Sequence, residues 1–476
     1  MKNHFGQNTL KREISLFSAF ILVVANMIGT GIYTTSGFII GNLGNGKAML
    51  LCWLFGGIFA LSGALCYGEL GAMFPKPGGE YIFLRESFGK CMAFLSGWIS
   101  LIVGFSAPIA AASIAFAFYL FKILPQSCHQ EYTFPLFGFT DIHLSLIPLT
   151  AITVIIFISF FHYHSLRLGS RIQNGLTIFK ILLILTFIAT GFSLGKGSIH
   201  HFGHGLDTGI IFSDKFAVSM IFVTFAYSGW NAAAYLGGEI KNPGRNIPLS
   251  LISGTLFVII LYLLLNAMFI YALGVENMKG ILEVGETAAR SLFDERASKY
   301  FSGAISIGIL SAVSAMTMTG PRVYFSMAQD GVFFKVFSKV NPKHKTPALS
   351  IFLQAAIAIL MILTCSFDKL LLYIGFTLSL FATMTVTGLM VLRIKMPSMK
   401  REFKTLGYPV VPLIFITGNL WIIFYAIKSR ILVSLIGLGT IGIGLLLYLY
   451  FTQRISWKKS KEILYRKRSI LTVREK

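Results

Sequence analysis

Charge is scarce in this chain, and negative charge most of all. Of 476 residues only 13% are charged and only 19 are Asp or Glu, where soluble globular proteins carry about 25% charged residues. There is too little polar surface to cover a soluble globule of this length, and with 55% hydrophobic residues and 44 phenylalanines a disordered chain is excluded as well. Cysteine is also sparse: Cys52, Cys66, Cys91, Cys128 and Cys365 are too few and too scattered for a disulfide framework or a metal site. Cys128 and Cys365 both fall in loops expected to face outward and are the one pair whose bridging stays open, since spacing alone does not fix geometry. No cleavable leader is expected either, because the first apolar run begins near Ile14, is too long for a signal h-region and lacks a small-residue cleavage site.

What fills the chain is apolar, at a mean hydropathy of +0.73. The apolar runs are continuous rather than alternating, which predicts membrane helices of about 20 residues and not a β-barrel. About twelve crossings are expected, at residues 14–40, 48–73, 91–121, 144–161, 173–193, 216–237, 249–273, 300–321, 348–364, 370–392, 410–427 and 431–452. The fold class is thus all-α and integral to the membrane. Residues 1–13 form an N-terminal segment, 14–392 a ten-helix core, 410–452 two further helices and 453–476 a basic tail. The long loop 274–299 carries a helix-like stretch, Thr287 to Phe293, expected to lie across the outer mouth.

The net charge of +22 does not indicate nucleic acid, because the basic residues sit between apolar runs and form no patch. With the N-terminus inside, 29 Lys and Arg fall in inner segments and 11 in outer ones, leaving Lys180 alone within a span. This asymmetry predicts both termini in the cytoplasm; the plasma (inner) membrane is the expected location. The tail residues Lys458, Lys459, Lys461, Arg466, Lys467 and Arg468 are expected to meet anionic lipid.

Two spans are interrupted. The first contains Asn26-Met27-Ile28-Gly29-Thr30-Gly31-Ile32-Tyr33, and each glycine there costs about 1 kcal/mol of helix propensity relative to alanine. The sixth contains Phe225-Ala226-Tyr227-Ser228-Gly229-Trp230-Asn231. Transmembrane glycines also serve simply as packing surfaces, but breaks at corresponding positions of two five-helix halves point to a transporter of inverted repeats whose site lies where the helices unwind. Backbone groups freed at such breaks must face protein, water or ligand.

On these residues the sequence resembles the amino acid, polyamine and organocation superfamily of permeases, most closely its L-type amino acid transporter and exchanger branch. Gly29-Thr30-Gly31-Ile32-Tyr33 is similar to the family's first-span signature, with Thr30 in place of the usual serine and Tyr33 in place of phenylalanine. Tyr67-Gly68-Glu69-Leu70-Gly71-Ala72-Met73-Phe74-Pro75 with Pro77-Gly78-Gly79-Glu80-Tyr81 looks like the second-span signature. The sixth-span motif continues through Glu239-Ile240-Lys241-Asn242-Pro243 and Arg245-Asn246-Ile247-Pro248, and Tyr324-Phe325-Ser326-Met327-Ala328, Asp330-Gly331 and Thr346-Pro347-Ala348 resemble the loop after span eight. The likeness covers roughly residues 12–400. It implies a LeuT-like five-plus-five inverted repeat with broken helices one and six, and a sodium-independent secondary transporter working by alternating access, as amino acid exchanger or proton symporter.

An amino acid brings a carboxylate and an ammonium to the membrane centre, where isolated charge is costly. Free amides near Gly29, Thr30 and Gly31, at the start of a half-helix, suit the carboxylate. Carbonyls of Met27, Ile28, Phe225, Ala226 and Ser228 suit the ammonium, and the resemblance implies the same arrangement. It also places Phe225 where the family has an aromatic gate; a packed bundle side chain is the alternative. Asn231 is expected either to bond substrate or to steady the unwound backbone. Ser106, Ser311 and Ser314 are pocket candidates or ordinary packing hydroxyls. Lys180 lies about 10 Å along its helix: it either snorkels to the surface or, as the resemblance implies, replaces the sodium of coupled relatives and bridges spans five and one; if burial lowers its pKa, it is also a candidate carrier of a transported proton.

His200, His201 and His204 have metal-like spacing without a carboxylate or cysteine beside them, so neither a metal nor any other cofactor is expected. His162 and His164 are expected at the interface, and Glu69 as a structural partner of a basic residue or helix end. No membrane carboxylate is expected near the site, which favours neutral amino acids over cationic amino acids or polyamines. The spans hold no Asp and no deep His, so no enzyme is expected; a transporter-like nutrient sensor is the remaining alternative. Some exchangers of this branch pair with a single-span glycoprotein through an outward cysteine, but the match is too weak to expect that here. Homo-oligomerisation is left open.

Overall fold

Ser15 opens the first helix by accepting a hydrogen bond from the Ser18 amide at 3.2 Å, as a helix N-cap does. In the computed structural model, which describes residues 10–452 except 124–130, 137–139, 203–204, 207, 365–366, 430 and 432–433, that helix is α1 (Leu16–Met27). It stops at Ile28 and resumes as α2 (Gly31–Thr34) and α3 (Ser36–Leu43). Asn45 caps the second span, α4 (Gly46–Met73), by accepting from the amides of Lys47 and Ala48. A loop helix, α5 (Glu80–Phe88), leads to a third span made of α6 (Lys90–Ile99), a π-helical stretch Ser100–Ser106 and α7 (Ala107–Phe121). The fourth and fifth spans are α8 (Leu146–His164) and α9 (Leu166–Leu194). The sixth is split into α10 (Asp214–Tyr227) and α11 (Ala232–Tyr235). Then come α12 (Pro243–Met278), the loop helix α13 (Val284–Leu292), α14 (Glu295–Thr319), α15 (Pro321–Gln329), α16 (Ala348–Thr364), α17 (Phe367–Lys395), α18 (Val410–Ser429) and α19 (Ser434–Thr452).

Ten helices among the described residues are long and apolar enough to cross a membrane. The other two expected crossings correspond to the shorter apolar helix α16 and to the sixth span, whose halves are each too short alone. The fifth span starts at Leu166 rather than near 173: Ser165 caps it, and the polar turn with Arg167, Ser170 and Arg171 is helical although its hydropathy is low. Outside helices, β1 (Glu131–Leu136) and β2 (Thr140–Ser145) pair antiparallel, Glu131 opposite Ser145 and Leu136 opposite Thr140. This hairpin departs from the purely helical expectation; its Tyr, Thr, Phe and Ile suit strands.

The α4–α12 contact is close because small residues line it: a Cβ on Gly57 would lie 2.9 Å from Ile259, and one on Gly71 2.7 Å from Ile247. Lipid tails offer no hydrophobic drive between helices, so such close packing supplies the cohesion. The peripheral helices turn large apolar side chains outward, among them Phe157, Phe160, Leu182, Phe424 and Leu446, an untenable surface in water. The Cys128–Cys365 pairing, His204 and the basic tail lie outside the described residues.

Candidate functional site

The two broken helices meet at their breaks, and glycine lets them meet. At the first, the Ile28 amide closes α1 by donating to the Val24 carbonyl, and the Gly29 amide donates to Met27 O at 2.9 Å. At the second, the Ser228 amide donates to Phe225 O at 3.0 Å, and Gly229 takes a left-handed φ of 97°, which L side chains resist. A Cβ on Gly31 would lie 2.7 Å from the Ala226 Cα and 3.3 Å from the Phe225 ring, and one on Gly229 2.8 Å from the Asn26 carbonyl. The breaks are therefore interlocked backbone against backbone, so packing and interruption are one feature. Gly29 has open space by comparison, its nearest neighbour being Ala312 at 4.0 Å.

Two side chains from other spans bind the freed carbonyls. The Tyr262 hydroxyl on α12 lies 2.7 Å from Met27 O and 3.1 Å from Ala226 O; its one proton serves one carbonyl at a time. Lys180 on α9 is completely buried, and its ammonium donates to Ala25 O at 3.2 Å and to Ile28 O. It does not snorkel. By contrast, the amides of Thr30, Gly31 and Ile32 have no backbone partner among the described residues, leaving the free N–H groups one residue later than expected. Thr30 is buried, and its carbonyl accepts from Thr34.

A cavity opens beside the sixth-span break, lined by Asn26, Ser228, Asn231, Tyr235, Phe105 and Glu80 among others. The π-helical stretch contributes Ser100, Gly104 and Phe105 to its wall, and such stretches recur at functional sites. Of the expected substrate residues, Ser228 and Asn231 line this cavity, whereas Met27, Ile28, Gly29, Thr30, Gly31, Phe225 and Ala226 do not. They lie in the join between the two breaks, where Tyr262 and Lys180 occupy the backbone. The Asn231 amide is engaged by protein, donating to Glu80 Oε1 at 3.0 Å and facing Tyr235 Oη at 3.3 Å.

The expectation of no carboxylate concerns the spans, and from outside them Glu80 does face the cavity. It belongs to a loop helix, and a scan of the spans for acidic residues passes over it. Tyr262 likewise carried no motif. Ser106, Ser311 and Ser314 make packing contacts, to Gln354 O, Gly308 O and His162. His162 is buried and bonds Ser314 at 2.8 Å instead of lying at the interface, while His164 is partly exposed and bonds Phe160 O. His201 bonds Tyr271 O at 2.8 Å, and no metal-holding group of His, Cys, Asp and Glu exists among the described residues. Glu69 does have a structural role: it is buried, pairs with Arg393 at 2.6 Å and Arg401 at 3.1 Å, and accepts from the Thr405 amide.

Residues 14–460 match the family model described as amino acid permease. The chain is 30% identical to the serine/threonine exchanger SteT of Bacillus subtilis (strain 168), across 93% of this chain and 96% of that protein. It is 29% identical to the b(0,+)-type amino acid transporter 1 of Mus musculus, across 89% and 84% of the two chains. To the large neutral amino acids transporter small subunit 2 of the same species it is 27% identical, across 94% and 85%.

Proposed function

Because the chain belongs to the amino acid permease family and so is a multi-pass amino acid transporter rather than an enzyme, we propose that it moves neutral L-amino acids across the plasma membrane without sodium. It works by alternating access in the LeuT-like fold, as an exchanger or a proton symporter. Residues 14–392 form the transport core, 410–452 the added helices, and both termini lie in the cytoplasm, as the excess of basic residues in the inner segments supports. Relatives named for serine/threonine exchange and for large neutral amino acids favour a neutral substrate.

The observation that carries sodium independence is the Lys180 ammonium bound to Ala25 O and Ile28 O: a fixed cation at the first-span break leaves a mobile one no role there. The substrate carboxylate meets the unpartnered amides of Thr30 and Gly31, with the Thr30 hydroxyl beside them. Its ammonium meets carbonyls of Met27, Ile28, Phe225, Ala226 and Ser228, which keep a second lone pair for it. Phe225, whose ring abuts Gly31, closes over the bound substrate, and Asn231 steadies the sixth-span break.

Uptake of labelled amino acids into proteoliposomes in sodium-free buffer, with and without internal unlabelled amino acid and at two external pH values, tests this. Uptake only after preloading establishes exchange; uptake into empty vesicles that rises with external acid establishes proton symport. Stimulation by sodium refutes the sodium-independent reading. A second reading, transport of cationic amino acids or polyamines, is favoured by Glu80 at the cavity, and lysine and putrescine belong in the panel. Saturable binding with no flux for any compound would identify a sensor.

A further inference from the structure

Glu80 is the first residue of α5, outside the spans, yet it is only 5% exposed and its carboxylate reaches the cavity. Tyr67 of α4 donates to its Oε1 at 2.7 Å, and Asn231 at the sixth-span break donates to the same oxygen at 3.0 Å. One carboxylate thus ties the second span, the loop helix and the broken sixth span together, and every donor holding it is neutral.

The charged groups around it are committed elsewhere. On α5 itself, Arg85 pairs with Asp330 at 2.5 Å and Glu86 at 2.6 Å, and Tyr81 donates to Asp330. From α15, Arg322 pairs with Glu239; from α17, Arg393 pairs with Glu69 and Lys395 donates to Ser87 O. Lys90, at the head of α6, is exposed. From α11 the facing group is the Tyr235 phenol. No basic side chain pairs with Glu80 among the described residues. An ionised Glu80 is therefore a negative charge with no cationic partner beside the cavity, and a proton is the smallest cation that neutralises it.

We propose that Glu80 is a proton-binding site of the transport cycle, and that taking up a proton releases the broken sixth span from α5. The inference rests on the transporter reading above. Carboxylate and a proton from water in the open cavity give the neutral acid; the reverse step returns the proton to water. Protonation turns the charge-assisted bonds from Asn231 and Tyr67 into neutral ones, roughly half as strong. Burial pushes the Glu80 carboxyl up to about 7, against the bonds from Tyr67, Asn231 and Tyr235 that hold it down, so both forms are populated near neutral pH.

Infrared difference spectra of the purified protein between about pH 6 and about pH 8, the range where such a group titrates, test the site without any transport. A protonated-carboxyl band that titrates in the wild type and vanishes in Glu80→Gln is expected. Its absence from the wild type, or its persistence in the variant, overturns the assignment. Tyr67→Phe removes one donor to the anion, so its band should titrate at higher pH, by about tenfold in proton affinity; an unmoved midpoint counts against the tie. In proteoliposomes, exchange of labelled serine is expected to slow severalfold as pH rises through this range in the wild type and to be flat in Glu80→Gln. A variant that keeps the wild-type profile overturns the coupling. Failure of serine, or of every amino acid, to exchange bears on the function, whereas the infrared result stands on its own.

Discussion

Lys180, Tyr262 and Glu80 each join a helix break to the rest of the bundle through one polar group. Lys180→Met keeps the stem and removes the ammonium, orphaning the Ala25 and Ile28 carbonyls, a loss of about 1–3 kcal/mol for each unsatisfied buried group. Exchange is expected to fall at least tenfold, by roughly the same energy, with a lower thermal midpoint; a variant with wild-type flux would remove Lys180 from the mechanism. Tyr262→Phe leaves the aromatic packing on Trp53 and Tyr227, with centroids 5.4 and 5.1 Å apart, and deletes only the shared hydroxyl. It should cost about 1 kcal/mol, read as a shift of the denaturation midpoint. For Glu80 the folded value of about 7 lies above the ordinary 4.5. The protonated form is therefore favoured by folding: the stability it brings is complete below 4.5 and is lost as pH rises through 7. The difference is on the order of 3 kcal/mol, so the wild-type thermal midpoint should fall from about pH 5 to about pH 8 more steeply than that of Glu80→Gln. Parallel slopes would show that Glu80 does not titrate there.

Among the elements, the broken first and sixth helices carry the sharpest contrast. Gly31→Ala drives a Cβ into the Ala226 backbone at 2.7 Å, while Gly29→Ala meets nothing nearer than 4.0 Å. Exchange assays should therefore find Gly31→Ala severely impaired and Gly29→Ala close to wild type; equal effects would mean that the breaks do not interlock. The glycines, the polar neighbours and the corresponding positions of both breaks were legible in the sequence because backbone propensity is local. That each glycine makes room for the other break was not, since that fact exists only when two distant segments meet. The same limit hid Tyr262, an ordinary aromatic residue in an apolar run, and Glu80, whose loop position concealed how deeply it reaches. Glu69 was legible as a structural partner, but Arg393 and Arg401 are more than 300 residues away. His162 was misplaced because a His at a helix end reads as interfacial until its neighbours are known.

Across the whole molecule, the ties gather at two opposed ends of the bundle. At one end Glu239 and Arg322 form a fully buried pair at 2.7 Å, and the chain before α1 joins the segment after α11 through the bridge of Ile14 to Ile240. At the other, Lys122 holds Glu286 on α13 and Glu283 just before it, and the Gly280 amide donates to Gly37 O at 3.0 Å. The alternating access proposed above would open these ends in turn, and they differ in depth. Glu239→Gln leaves Arg322 charged and buried, a cost of about 3–5 kcal/mol, whereas Lys122→Ala removes two pairs in which the lysine is 23% exposed and should cost less, about 1 kcal/mol. Thermal unfolding should rank the variants in that order; the reverse ranking would mean that the buried pair is not what holds its end together. The interlocked breaks finally bear on how the chain can change by descent. A crowded side chain can be relieved by shrinking its neighbour, but Gly31 and Gly229 each face main chain, which no substitution shortens. Selection for suppressors of Gly31→Ala should accordingly return the original glycine and almost nothing else, making each of these two positions a dead end for compensatory evolution.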